Sequence, residues 1–421
     1  MPPQESWDWE PGTRIVCDLS ACSSEYQWRE EPYISPDGER VAAVAALEEG
    51  GFTMCTGESP WETSFEKLWY PRFSPDGRLT ALGQQDGEWT VVVDGEPWDA
   101  TFAYAWGTSF SRDGSVIACA VQLDGKYGMA VDGTPWSELF DNANCFALSA
   151  DGSATAASVQ VKPLGQADIE TFKQGVYSVA VNGAAWESVF VNAWNSAFDA
   201  GAKRVAAAIR LSLYDYGVAV DGVPWTKTFG CVWEPLFDPV TGAVAVPVRL
   251  GGAWGLAIDD EIAWPATFSQ LWHPAYSTGG KLLAAIVAPR FGEFTVAVGG
   301  VPWKSTFPVV TDVTIAPQGG SVAALASECN ERFAVIRDDL VWSGRYDMAW
   351  PPVFCPTGRN LAAAVEKNGK QTVVLNDRVY KEWFDKVAPP TFSPDGDKVL
   401  IRAVSGGKCL RIVETPDAFK A

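Results

Sequence analysis

The chain has 421 residues and a formal net charge of −20, which argues against nucleic-acid phosphates and anionic lipid surfaces as direct partners and leaves a basic protein partner open. Nine cysteines, an odd number scattered along the chain, suit a reducing compartment better than a disulfide scaffold. No run approaches the roughly 18 apolar residues of a spanning helix, so a soluble, cytoplasmic protein is expected.

The N-terminus, Met1-Pro2-Pro3-Gln4-Glu5-Ser6-Trp7, has neither the basic nor the apolar region of a signal peptide. Within residues 1–33, residues 14–18 align with the third strand of the repeat described below, and residues 22–26 with its fourth. This segment is expected to complete the last repeat and close the ring, which leaves one third-strand-like piece surplus.

From Ile34 the chain is a series of copies. Ten units begin at Ile34, Phe73, Phe110, Leu148, Phe198, Phe237, Tyr276, Ile315, Phe354 and Phe392. Nine of them carry alanine eight residues on, and the last carries Leu400. Separations of 37 to 39 residues, with one of 50, and strand-like patterning in each unit predict an all-β fold. The expected architecture is a β-propeller of about ten four-stranded blades over residues 34–421. A single ring of ten is the first reading, and two smaller rings are the alternative.

The fourth unit illustrates the pattern. Residues 144–149 form strand a, Ala150-Asp151-Gly152 turns the chain, residues 153–160 form strand b and 177–181 strand c. Asn182-Gly183 is a second turn and residues 186–190 are read as strand d. Asp and Asn bond backbone amides in such turns, and Gly accepts positive φ. The b strands are Ala-rich, as in Val41-Ala42-Ala43-Val44-Ala45-Ala46. Strands sandwiched between blades must be apolar on both faces, and Ala lets the blades approach.

Most tryptophans follow the same period. Trp61, Trp98, Trp136, Trp186, Trp225, Trp264, Trp303 and Trp342, with Tyr380, stand twelve residues before the next unit, usually with Phe four residues later. One aromatic pair per blade reads as inter-blade packing. A second series, Trp69, Trp106, Trp194, Trp233, Trp272 and Trp350, lies four residues before its unit. Trp89, Tyr127, Tyr177, Tyr216, Trp254 and Phe294 open c strands. Propeller geometry sends both sets, and the long insertion at residues 161–174, to one face. The six tryptophans of the second series are therefore candidates for a docking face, since Trp and Tyr dominate interface hot spots; packing over the same face is the competing role. At the C-terminus, residues 399–404 read as b and 408–413 as c, with no full d strand after them.

Catalytic signatures are missing. His273 is the single histidine and cannot make a metal site or a hydrolase triad alone. There is no Gly-x-Ser-x-Gly elbow, Cys-x-x-Cys-His haem motif, cluster-binding cysteine quartet or Gly-rich phosphate loop. Cys17 and Cys22 form an isolated Cys-x₄-Cys pair. No cofactor, metal or catalytic residue is assigned.

The Ser-Pro-Asp-Gly turns at residues 35–38, 74–77 and 393–396 resemble those of WD-repeat and TolB-like propellers. The repeated Asp-Gly-x-Pro-Trp, the many tryptophans and the opening Trp7-Asp8-Trp9-Glu10-Pro11-Gly12 give a narrower resemblance. The whole chain resembles the tryptophan-rich, WD-repeat-type subunit of the Tmc transmembrane redox complex of sulfate-reducing bacteria. That resemblance implies a non-catalytic docking subunit on the cytoplasmic side of a membrane-bound electron-transfer complex. It also implies the partners: a cytoplasmic iron–sulfur protein, a membrane cytochrome b and a multihaem cytochrome c. The alternative is a propeller enzyme or ligand binder acting on a sugar or peptide at the channel mouth.

Overall fold

The computed structural model describes residues 4–19, 26–57, 60–166, 168–329 and 332–420. Among them the strands sort into ten antiparallel sheets, one per repeat, in the order a-b-c-d of β-propeller blades. Blade 3 is representative, with strands Tyr104–Phe110, Ile117–Leu123, Lys126–Val131 and Thr134–Pro135. The chain divides into two compact units: residues 1–81 with 275–421, and residues 82–274. The first holds blades 1, 8, 9 and 10 and the second blades 3 to 6; the boundaries fall inside strand b of blade 2 and strand a of blade 7.

The b strands carry the core as expected, and Val41–Ala46 is buried at every residue. Two turn types set the register. After strand a, Ser149 donates through Oγ to Asp151 Oδ1 (2.7 Å), and Asp151 accepts from Ser153 N (3.0 Å). Between c and d, an Asp or Asn in the left-handed region accepts from the first amide of strand b. The pairs include Ile117 N to Asp132 Oδ1 (2.9 Å), Thr155 N to Asn182 Oδ1 (2.8 Å) and Val205 N to Asp221 Oδ1 (2.8 Å). One turn thus holds the end of c to the start of b.

Strand d departs from the sequence reading. The run through Trp186 to Phe190 is not a continuous strand; pairing covers only Ala184–Ala185 before the Trp, then resumes as a single bridge between Tyr177 and Phe190. In other blades Pro97, Pro135, Pro224 and Pro302 occupy this edge and cannot donate to a ladder. The looped-out stretch is held from beneath by a buried hydroxyl one residue into strand c. Thr90 Oγ1 donates to the carbonyls of Trp98 (3.3 Å) and Ala100 (2.9 Å), and Ser178 Oγ to those of Trp186 (3.1 Å) and Ser188 (2.7 Å).

Both chain ends behave unexpectedly. Gly12–Asp18, aligned with a c strand, is the outer strand of blade 10, paired with Lys408–Glu414. This accounts for the surplus piece; the stretch read as a d strand at 22–26 lies, but for Tyr26, outside the described residues. Phe419–Lys420 returns to blade 9 as an edge strand beside Arg378–Tyr380. Blades 10 and 1 meet through two arginines that are cross-strand partners, Arg402 and Arg411. Arg402 donates to the Ser35 carbonyl (3.2 Å) and to that of Pro389 (2.7 Å). Arg411 donates to the Asp37 carbonyl (2.9 Å), pairs with Glu39 (2.9 Å) and reaches the Asp8 carbonyl. Burial lowers the Arg402 pKa to about 10, so it stays charged at neutral pH.

Candidate interaction surface

The docking candidates lie in or beside strand a, and a recurrent bulge sets their direction. In several blades the residue three before the repeat start takes positive φ: Tyr70, Gly107, Cys145, Asn195, His273 and Asp312. The ladder slips there, between Trp106 and Ser109 in blade 3 and between Trp194 and Ala197 in blade 5. A bulge of this kind re-aims the side chain beside it, here the tryptophan four before the repeat start.

Three of these six tryptophans rest on the aromatic that opens strand c of the same blade. Trp106 meets Tyr127 edge-on (6.3 Å) and also Phe146 of blade 4 (5.8 Å). Trp194 meets Tyr216 at 5.9 Å, and Trp233 stacks on Trp254 at 5.4 Å with planes 4° apart. Trp272 is half-buried within Gln270–Tyr276, and Trp350 is half-buried against a core containing Tyr380, Phe384 and Phe392. Trp69 and Trp233 alone of the six are largely open, at 49% and 39% exposure. In the second unit Trp106 and Trp194 are therefore half-buried packing residues.

The sequence series contained Trp69 but missed Trp28, Tyr33 and Tyr70, which are also exposed. In the first unit, strand a of blade 1 exposes Trp28 (47%) and Tyr33, and strand a of blade 2, packed against blade 1, exposes Trp69 and Tyr70. Trp28 meets Phe52 edge-on at 5.8 Å, and the Arg72 guanidinium lies 5.6 Å from the Tyr70 ring centre. The exposed carboxylates Glu30, Glu31 and Glu66 flank them in the chain. Trp28 stands six rather than four residues before its repeat, which is why periodicity passed over it.

The insertion at 161–174 carries a short helix, Ile169–Lys173, capped by Asp168 Oδ1 accepting from Thr171 N (3.0 Å). Its base borders a cleft of about 400 Å³ between blades 3 and 4, lined by Lys126, Asp141, Gln160, Lys162, Trp186 and Glu187. Lys126 and Asp141 already pair across it at 3.4 Å. His273 projects from a bulge and faces Glu234 (Nδ1 to Oε1, 3.3 Å). Among the described residues no three His, Cys, Asp or Glu side chains are grouped to hold a metal ion, and no helix is long and apolar enough to cross a membrane. The arrangement offers aromatic contact area edged with carboxylates.

Fold and surface together define a tryptophan-rich β-propeller. No family model matches the chain, and no curated protein matches it. Among solved structures it is similar to a eukaryotic initiation factor at 12% identity, covering 93% of this chain and 96% of that one, with a TM-score of 0.46. It is also similar to the β-propeller domain of Swd1 from Myceliophteria thermophila (10% identity, 64% and 95% covered, TM-score 0.31). A prolyl endopeptidase structure aligns at 11% identity over 82% of this chain and 55% of that one, with a TM-score of 0.38. Likenesses this distant do not bear on function.

Proposed function

We propose that the protein is a non-catalytic docking subunit that binds a protein partner through exposed aromatic side chains of its a strands. The observation that carries this reading is the exposure of Trp28, Tyr33, Trp69 and Tyr70 in the a strands of two successive blades. Four large aromatic side chains left open beside a well-packed core provide contact area at low entropic cost, the composition typical of hot spots. The net charge of −20 and the carboxylates Glu30 and Glu66 favour a partner with a basic patch, which the field would steer toward the aromatics.

The finer reading follows the resemblance stated above. The partner is a subunit of a membrane-bound electron-transfer complex on its cytoplasmic side, and the protein is peripheral to the inner membrane through that partner. Iron–sulfur protein, cytochrome b and cytochrome c carry the electrons, and this chain supplies binding surface. Purifying the native assembly in mild detergent tests the proposal. Redox subunits should co-purify with the wild type and be depleted with Trp28→Ala/Trp69→Ala, whose folding is checked by circular dichroism. A wild-type protein that runs alone refutes the complex; undiminished recovery with the folded double variant refutes the surface.

A further inference from the structure

The two ends of the chain meet in blade 10, and two cysteines meet there with them. Cys17 of strand Gly12–Asp18 is the direct register partner of Cys409 of strand Lys408–Glu414. Both stand as thiols. Among the described residues no other two cysteines are partners across a ladder. Directly paired antiparallel residues have Cα atoms about 4.5–5.5 Å apart and side chains on one face. A disulfide spans Cα separations of about 4.4–6.8 Å, so the backbone already lies in range. The ladder slips between Ile15 and Cys17, which gives the outer strand local slack at this residue.

The two thiols differ in access. Cys409 is fully buried, whereas Cys17 is partly exposed on an outer strand whose first four residues are open to solvent. Gly57 of blade 1 comes close to Cys17, and its missing side chain leaves room there: a Cβ added to it would lie 3.9 Å from the Cys17 Sγ.

We propose that Cys17 and Cys409 are a dithiol site that reacts with small-molecule disulfides and closes into a cross-strand bond tying the N-terminal strand to blade 10. The Cys17 thiolate attacks one sulfur of the reagent; the reagent's S–S bond breaks and one reagent thiol leaves. The Cys409 sulfur then attacks Cys17 Sγ, displacing the second reagent thiol. The protein loses two electrons and two protons, and the reagent gains both as two thiols. Access makes the partly exposed Cys17 the entry point, and direct cross-strand pairing makes Cys409 the resolving thiol; burial, with the charge of Cys17 beside it, pushes the Cys409 pKa up to about 12, which makes this second step the slow one.

The test treats the full-length native protein with excess 2-hydroxyethyl disulfide, blocks remaining thiols with N-ethylmaleimide and maps unreduced tryptic peptides by mass spectrometry. The expected product joins the peptide holding Cys17 to the one holding Cys409, while Cys119, buried and with its pKa pushed up to about 12, stays unmodified as a control for folding. The apparent Tm should rise by ~5 °C or more, because the bond closes nearly the whole chain into a loop, and dithiothreitol should reverse the rise. Cys17→Ser should abolish both changes; Cys409→Ala, which puts no polar group in the buried site, should abolish them too. A bond from Cys17 to Cys22, a mixed disulfide that persists on Cys17, or no modification under these conditions overturns the proposal.

Discussion

Trp136 is the sharpest place to test the packing between blades. Its side chain leaves strand d of blade 3 at 8% exposure, crosses to blade 4, and donates through Nε1 to Thr155 Oγ1 at 2.9 Å. Thr155 in turn donates through its amide (2.8 Å) and hydroxyl (3.1 Å) to Asn182 Oδ1. The Trp136 ring also meets Phe140 edge-on at 6.5 Å, and its Cβ lies 3.1 Å from the position of a Cβ on Gly183. Trp136→Ala therefore empties an aromatic site, ~3–5 kcal/mol, and removes one of the two hydrogen bonds of the buried Thr155 hydroxyl, ~1 kcal/mol more. Trp136→Phe keeps most of the packing and should cost ~1–2 kcal/mol. Thr155→Val leaves the indole N–H unpartnered, and a double-mutant cycle with Trp136→Phe should return a coupling of ~0.5–1.5 kcal/mol. Urea unfolding followed by far-UV circular dichroism measures all of these. Trp225, in the same repeat position but only half-buried, is the comparator, and its replacement by Ala should cost less than that of Trp136. A Trp136→Ala loss below ~1 kcal/mol, or one smaller than that of Trp225→Ala, would refute the account of blade packing.

Thr90→Val preserves shape but leaves the carbonyls of Trp98 and Ala100 without their buried donor; a loss of ~1–2 kcal/mol is expected, measured by the same unfolding assay, and an unchanged midpoint would mean that water replaces the hydroxyl. The turn aspartates predict acid sensitivity. Asp113 accepts from the Ser111 hydroxyl and from the Ser115 amide and hydroxyl, which hold its pKa down at about 2 against the unfolded value of 3.8. A carboxyl lowered in the folded state contributes stability that is present above its unfolded pKa and lost as pH falls through the folded one. Stability should therefore decline between about pH 4 and pH 2, and Asp113→Asn should flatten that part of the Tm–pH curve; an unaltered curve would remove Asp113 from the explanation.

Periodicity made the blade count, the Ala-rich b strands and the turn positions legible, because each is a local demand repeated ten times. It failed where residues have no counterpart. Gly12–Asp18 carries the alternation of a c strand, and only the pairing left open beside Lys408–Glu414 makes it a d strand. Arg402 and Arg411 interrupt the apolar centres of their strands, and their partners in blade 1 lie more than 360 positions away. For the surface, spacing found Trp69 and Trp233 but grouped them with Trp106 and Trp194, which are packed on neighbouring rings. Trp233 stacks on Trp254 yet stays exposed, and Trp69 shares the bulge of the half-buried Trp106, so spacing alone does not separate open from packed tryptophans.

One alternation in the turns carries a further physical consequence. The second residue of the c–d turn is Gly in some blades and Asp in others, and in blades 3 to 6, 8 and 9 it lies against the previous blade's Trp or the residues just after it. Asp260 accepts from the amides of Thr226 (2.9 Å) and Lys227 (3.1 Å), Asp339 from those of Lys304 (2.9 Å) and Ser305 (3.0 Å), and Asp377 from that of Ser343 (2.8 Å). Where the facing pair contains an acid, the turn residue is Gly: Gly133 opposite Asp99-Ala100, Gly183 opposite Ser137-Glu138, Gly222 opposite Glu187-Ser188. A carboxylate at the latter positions would meet another carboxylate while capping the same amides. Gly222→Asp should thus be destabilising although its backbone, at φ 81°, is close to that of Asp260 at 71°. Combined with Glu187→Lys, the same substitution should recover ~0.5–1 kcal/mol through a capped amide and an opposite charge. Thermal unfolding of the two single variants and the double variant measures the coupling. Strict additivity would show that Gly222 is required by its contact with the Trp186 side chain, 3.3 Å from an added Cβ, and that charge plays no part in the choice.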